Sequence, residues 1–66
     1  MNITVNGQAR QIDDGTKIDR LLAELDLRGK YVAVEVNLDL IPRANHENHV
    51  LAEGDRLEIV TLVGGG

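Results

Sequence analysis

One stretch of this chain carries a helical hydrophobic period, and that single stripe constrains everything around it. Ile18, Leu21, Leu22 and Leu25 fall at i, i+3, i+4 and i+7, so all four share one helix face. The opposite face offers Arg20 with Glu24 as an i,i+4 pair, and Glu24 with Arg28 as a second. Thr16 stands where an N-cap is expected, with Asp19 three residues on, a variant of the capping box with Asp in place of Glu. Gly29 reads as the terminating residue. A lone apolar stripe must be buried against something, and the rest of the chain offers strands.

Met1 to Val5 alternates apolar and polar residues, the period of a half-buried strand. Asn6-Gly7 follows, a two-residue hairpin signal because both residues tolerate positive φ. Gln8 to Ile12 is the returning strand, with Ala9 and Ile12 expected inside, and Asp13-Asp14-Gly15 ends it. Tyr31 to Val36 is a third strand with Val32, Val34 and Val36 on one face. Asn37-Leu38-Asp39 turns the chain into a short strand, Leu40-Ile41, that stops at Pro42, a residue suited to a sheet edge. Residues 43–52 read as irregular with room for a brief helical turn, Glu53-Gly54-Asp55 as a turn, and Arg56 to Val63 as the last strand. One stripe and one sheet give a two-layer α+β domain, a mixed sheet of four to five strands with the helix across one face. A parallel pairing of the first and last strands would put both at the sheet centre.

Size and composition narrow the function. Sixty-six residues make one domain, near the lower limit for a self-supporting core and too small to enclose a substrate pocket as well. The chain is therefore expected not to be an enzyme acting alone. There is no cysteine, which excludes disulfides, thiolate chemistry and cysteine-based metal sites. The net charge is −4 and the seven Lys and Arg residues are scattered singly, so nucleic-acid binding has no basic stripe to rest on. From residue 46 onward four acids (Glu47, Glu53, Asp55, Glu58) face one base (Arg56), which would make the tail-bearing end acidic if the fold gathers them. No apolar run is long enough to cross a membrane and no signal peptide opens the chain, so a cytoplasmic protein is expected.

The chain ends Val63-Gly64-Gly65-Gly66, directly after the last strand, which divides it into a domain over 1–63 and a flexible tail over 64–66. Glycine has no Cβ, so such a tail can lie in a narrow channel and approach a partner's groups closely. The Gly66 carboxylate is a poor electrophile that becomes a good one once activated as an acyl-adenylate. The tail reads either as the reactive arm of a carrier or as a frayed or linker-like terminus. Strand alternation turns Leu57 and Ile59 inward and Val60 and Leu62 outward. Two exposed aliphatics beside the tail read as a docking patch, the alternative being a central strand shielded by neighbours such as Tyr31. His46 and His49 have the i,i+3 spacing of a metal pair, but no third ligand is evident nearby and loop histidines are commonly solvated, so no metal is expected. Asp13 and Asp14 are explained by the turn they form.

Taken in order, four segments resemble the ThiS family, the ubiquitin-like β-grasp sulfur carriers of thiamine biosynthesis. They are Met1-Asn2-Ile3-Thr4-Val5-Asn6-Gly7, Val32-Ala33-Val34-Glu35-Val36-Asn37, Ile41-Pro42-Arg43, and Glu53 to Val60 continued by Val63-Gly64-Gly65-Gly66. The chain departs from the family at Asn37-Leu38, where an Asn-Gly turn is usual, and at His46, where an aromatic is common. The resemblance implies a β-grasp fold and a carrier with no cofactor of its own. An E1-like adenylyltransferase (ThiF-type) would use ATP and Mg²⁺ to adenylate Gly66. A persulfide sulfur donor would convert it to a thiocarboxylate, and a thiazole synthase (ThiG-type) would take the sulfur. Gly64, Gly65, Val60 and Leu62 would contact these partners, and the free carrier would be a monomer. The alternatives are a small subunit of the molybdopterin-synthase type or another β-grasp sulfur carrier, and a ubiquitin-like protein modifier.

Overall fold

In the computed structural model the described residues are 1–62; the expected glycine tail, Gly64, Gly65 and Gly66, lies outside them. The elements run β1 (Asn2–Val5), β2 (Gln8–Gln11), α1 (Ile18–Glu24), β3 (Val32–Val36), β4 (Asp39–Ile41), a 3₁₀ turn (Arg43–Asn45) and β5 (Arg56–Thr61). The sheet order is β2-β1-β5-β3-β4. β1 and β5 pair in parallel at its centre, and the other pairings are antiparallel. The mixed five-stranded sheet with one helix is the architecture the sequence predicts.

The core forms where the stripe of α1 meets the inward face of the sheet. Ile18, Leu21 and Leu22 are buried with Ile3, Val34, Val36, Leu57 and Ile59. Leu25 is half-buried and packs against this cluster, as do Val5, Leu27 and Ile41. Each buried aliphatic contributes on the order of 1.5–3 kcal/mol.

The helix differs from expectation at both ends. Thr16 does not cap it; the fully buried Thr16 hydroxyl donates instead to the Asp13 carbonyl at 2.6 Å. The first free amides are met by backbone, Ile18 N–H donating to His49 O at 3.1 Å and Asp19 N–H to His46 O at 3.0 Å. A neighbouring loop therefore replaces the side-chain cap, leaving the capping box unused. At the other end α1 stops at Glu24, well before Gly29. Asp26 takes φ +62°, Leu27 N–H donates to Leu22 O at 2.8 Å and Asp26 N–H to Ala23 O at 3.1 Å, the paired bonds of a Schellman ending. With the helix finished, Glu24 pairs with Arg20 at 3.3 Å and with Arg10 at 3.9 Å rather than with Arg28.

In β2, Ala9 is exposed where the sequence suggested burial, while Ile12 is buried as expected. The register explains this. Ile3 pairs with Arg10, so Arg10 shares the inward face and Ala9, opposite Thr4, turns outward.

Both hairpins use turns with two successive positive φ values, the I′ type that matches strand twist. Asn6 and Gly7 sit at +51° and +82°. Asn37 and Leu38 sit at +52° and +72°, and Leu38 is 89 % exposed. A left-handed leucine suffers Cβ crowding that glycine avoids, and so little of Leu38 is buried that few contacts offset it. Leu38→Gly is expected to raise unfolding free energy by about 0.5–1 kcal/mol in urea denaturation, the relief of backbone strain less the entropy of a new glycine. A loss of stability would instead assign the leucine side chain a packing role.

Candidate functional site at the tail end of the sheet

The described chain leaves the sheet at Leu62, whose N–H donates to Tyr31 O at 2.8 Å. Residues at this point are held by β5, so its anchoring decides how firmly the tail is presented. Two turn asparagines clamp it. Asn6 Nδ2 donates to Ile59 O at 3.1 Å while Ile59 N–H donates to Asn6 Oδ1 at 2.8 Å. The side-chain amide thus acts as one more peptide unit, continuing the β1–β5 ladder beyond Val5. Asn37 braces the strand where β5 begins, through one backbone group and one side chain. Arg56 N–H donates to its Oδ1 at 3.0 Å, and its Nδ2 donates to Asp55 Oδ1 at 3.0 Å.

On the sheet face away from α1, Val60 and Leu62 are 57 % and 53 % exposed, as the alternation predicts. Tyr31, 64 % exposed, does not shield them. Val60 pairs in register with Ala33, and the next pair on that face is Glu35 with Glu58, which bounds the apolar strip. The strip is apolar, solvent-facing and continuous with the root of the tail, the properties of a docking surface.

The four acids expected at the tail end divide: Glu47 lines the cleft on that side and Glu58 bounds the apolar strip, while Glu53 and Asp55 lie at the other end of β5. Asp55 is nearly buried where β5 begins, accepting from Ala52 N–H at 2.8 Å, and Glu53 Oε1 accepts from Asn2 N–H at 2.9 Å. The six residues of β5 separate these acids from Leu62, roughly 22–24 Å at the usual rise. Arg28 and Lys30, in the loop before β3, instead lie near the tail root, and Arg43 stacks over Tyr31 at 5.0 Å from the ring centroid. The three line an open cleft of about 520 Å³. Sequence reading scatters these bases. The small spacing of Arg28 and Lys30 was the available signal, and Arg43 joins them through the fold alone.

The histidines separate in role. His46 is buried rather than solvated, its Nε2 3.0 Å from Ile41 O, and its backbone carbonyl holds the start of α1. His49 is half-buried and contributes its carbonyl likewise. No three of His, Cys, Asp and Glu gather to hold a metal ion among the described residues. Asp13 is exposed and pairs with Arg20 at 2.9 Å, and Asp14 is 3.6 Å from the N-terminal ammonium, structural roles for both. Among the described residues no helix is long and apolar enough to cross a membrane.

Comparison with known proteins adds to this geometry. The model of the ThiS family matches residues 3–66. The sulfur carrier protein ThiS of Escherichia coli is 32 % identical over 66 residues, covering both chains completely. A thiazole synthase of Paramagnetospirillum magneticum is 36 % identical over the same 66 residues, and this chain spans 20 % of its length. The crystal structure of a thiamine biosynthesis protein (ThiS) from Geobacter metallireducens superposes with a TM-score of 0.83 at 32 % identity, each chain covered in full.

The Asn6 clamp yields a direct test. Asn6→Gly keeps a residue at ease with positive φ but removes both bonds to Ile59. It is expected to cost about 1–3 kcal/mol, two hydrogen bonds at ordinary worth. Amide exchange should accelerate selectively over Ile59 to Leu62, and uniform acceleration across the sheet would show that the clamp is not local.

Proposed function

The chain belongs to the ThiS family and is a sulfur carrier of thiamine biosynthesis with a ubiquitin-like β-grasp fold, and from that premise we propose how its parts act. The observation that carries the proposal is that the family match runs through residue 66 and so includes the glycine tail. The chain is a carrier and co-substrate rather than a catalyst, and it works in the cytoplasm. Catalytic groups reside on its partners, and the reactive atom it supplies is the Gly66 carbonyl carbon.

In the proposed cycle an E1-like adenylyltransferase binds ATP with Mg²⁺ and joins AMP to the Gly66 carboxylate, releasing pyrophosphate. AMP is a far better leaving group than carboxylate oxygen. The terminal sulfur of a persulfide donor attacks the carbonyl carbon and AMP departs. A thiol then cleaves the resulting S–S bond, leaving a thiocarboxylate on Gly66 and a disulfide. Thiazole synthase takes the sulfur, a partnership supported by the thiazole synthase sequence that contains a segment like this chain. Gly64 and Gly65 let the arm enter narrow active sites because no Cβ projects from them. Val60 and Leu62 meet the partner with apolar surface beside the tail root.

Intact-mass analysis tests the chemistry. After incubation with ATP, Mg²⁺, the adenylating enzyme and a persulfide source, the protein should gain the mass of sulfur replacing one oxygen, mapped to the C-terminal peptide. Deleting Gly66 or changing Gly65→Trp should abolish the gain without altering the fold. A tail variant that is still adenylated would overturn the threading role.

A second test separates docking from stability. Leu62→Asp should change unfolding free energy by no more than about 0.5 kcal/mol, as is usual for an exposed site. It should weaken binding to thiazole synthase by about tenfold or more, the loss of an apolar contact worth roughly 1.4 kcal/mol. Unchanged affinity with a destabilised fold would make Leu62 a structural residue.

A further inference from the structure

The cleft beside the tail root has an apolar floor of Leu22, Leu27 and Val32 and a cationic rim of Arg28, Lys30 and Arg43. Arg10 and Arg20 are paired with acids, whereas the three rim cations, like Lys17 and Arg56, form no ion pair among the described residues; the three are set apart by sharing one cleft. Stacking on Tyr31 orders the Arg43 side chain, and Tyr31 also receives the hydrogen bond from Leu62 that marks the tail root. Asp19 and Glu47 also line the cleft, Glu47 in the same short segment as Arg43. The chain as a whole carries −4, so a cleft with three cations and two acids departs from its overall charge.

We propose that this cleft is a docking site for an acidic protein segment, one bearing at least one Asp or Glu beside an apolar side chain, on the thiazole synthase that receives the sulfur. The proposal rests on the carrier reading above. The cleft is too open to surround a small ligand, as a small-molecule site does, but it suits a segment laid across it. The cationic rim attracts a carboxylate while the apolar floor accepts the neighbouring side chain. Asp19 and Glu47 disfavour a carboxylate close to them and so confine the segment's acidic group to the cations. The chain carries a net charge of −4, so a cluster of three cations is the patch best suited to attract an acidic partner. Steering therefore turns the tail end toward the partner before contact. The cleft lies on the opposite side of the sheet from Val60, so the tail root is gripped from two sides.

The test is the association rate with the cognate thiazole synthase, measured by stopped flow from low to high salt. The variant Arg28→Glu/Lys30→Glu/Arg43→Glu should associate about tenfold more slowly or worse at low salt, with a flatter salt dependence. Lys30→Glu should slow association while Lys17→Glu, the same charge change at an exposed site outside the cleft, should leave it within about twofold, since rates fall with local rather than net charge. The glutamine counterparts at 28, 30 and 43 should give a smaller slowing and guard against misfolding of the reversed variant. Equal rates for the wild type and both triple variants, or equal effects of Lys17→Glu and Lys30→Glu, overturn the proposal while leaving the carrier reading intact. A wild-type dimer in sedimentation that the triple variant abolishes would assign the cleft to a second copy and overturn it also. A wild type that does not bind thiazole synthase removes the carrier reading's partner and this proposal with it.

Discussion

The structure depends on β5 being hydrogen-bonded on both sides. It pairs in parallel with β1 and antiparallel with β3, so the last strand in sequence becomes the middle strand in space. Leu57 and Ile59 close the core from that position, and Asp55 and Asn37 fix where the strand starts. Non-local pairing of this kind brings the chain's ends to adjacent strands, and loop-closure entropy makes it costly until the core is nearly complete. Once β5 is seated, α1 has a finished surface to cover, which is why a helix of seven residues with no side-chain cap is stable here.

Much of this was legible in the sequence because period and turn chemistry are local. The stripe of Ile18, Leu21 and Leu22, the I′ turn at Asn6-Gly7 and the outward setting of Val60 all follow from spacing alone. What was not legible came from partners distant in sequence. Thr16 has the chemistry of a cap, but residues 46 and 49 deliver carbonyls to the helix start and leave its hydroxyl for Asp13. Asp26 outcompetes Gly29 as terminator because Leu27 can then pack under Leu22 into the core, a tertiary gain that propensity does not register. His46 reads as a loop residue and is buried, since the irregular segment carrying it folds back onto the helix.

The same limit explains the charges. Counting acids along the last twenty residues suggests an acidic tail end, yet strand direction carries Glu53 and Asp55 to the far end of β5 and consumes both in backbone hydrogen bonds. Arg28, Lys30 and Arg43 come from two separate loops and meet only because β3 and β4 form a hairpin whose open end faces the loop after α1. Charge order in sequence and charge order in space coincide within an element and diverge between elements, and here the divergence brings three bases to the tail end of the sheet beside Asp19 and Glu47.

On the proposed carrier cycle, in which the last residues enter a partner's site, load arrives along the strand that bears them. Were β5 an edge strand, each bond to its single neighbour could open in turn, and the strand would peel from the end under load. A central strand must break bonds on both sides together, and the Asn6 amide adds two more at Ile59, next to the point where load would arrive. The turn asparagines therefore do more than permit positive φ. Glycine would satisfy both turns, but it has no amide to lend to β5. The preference for asparagine at the first position of both turns follows from two requirements met by one side chain, a left-handed backbone and a peptide-like hydrogen-bonding group.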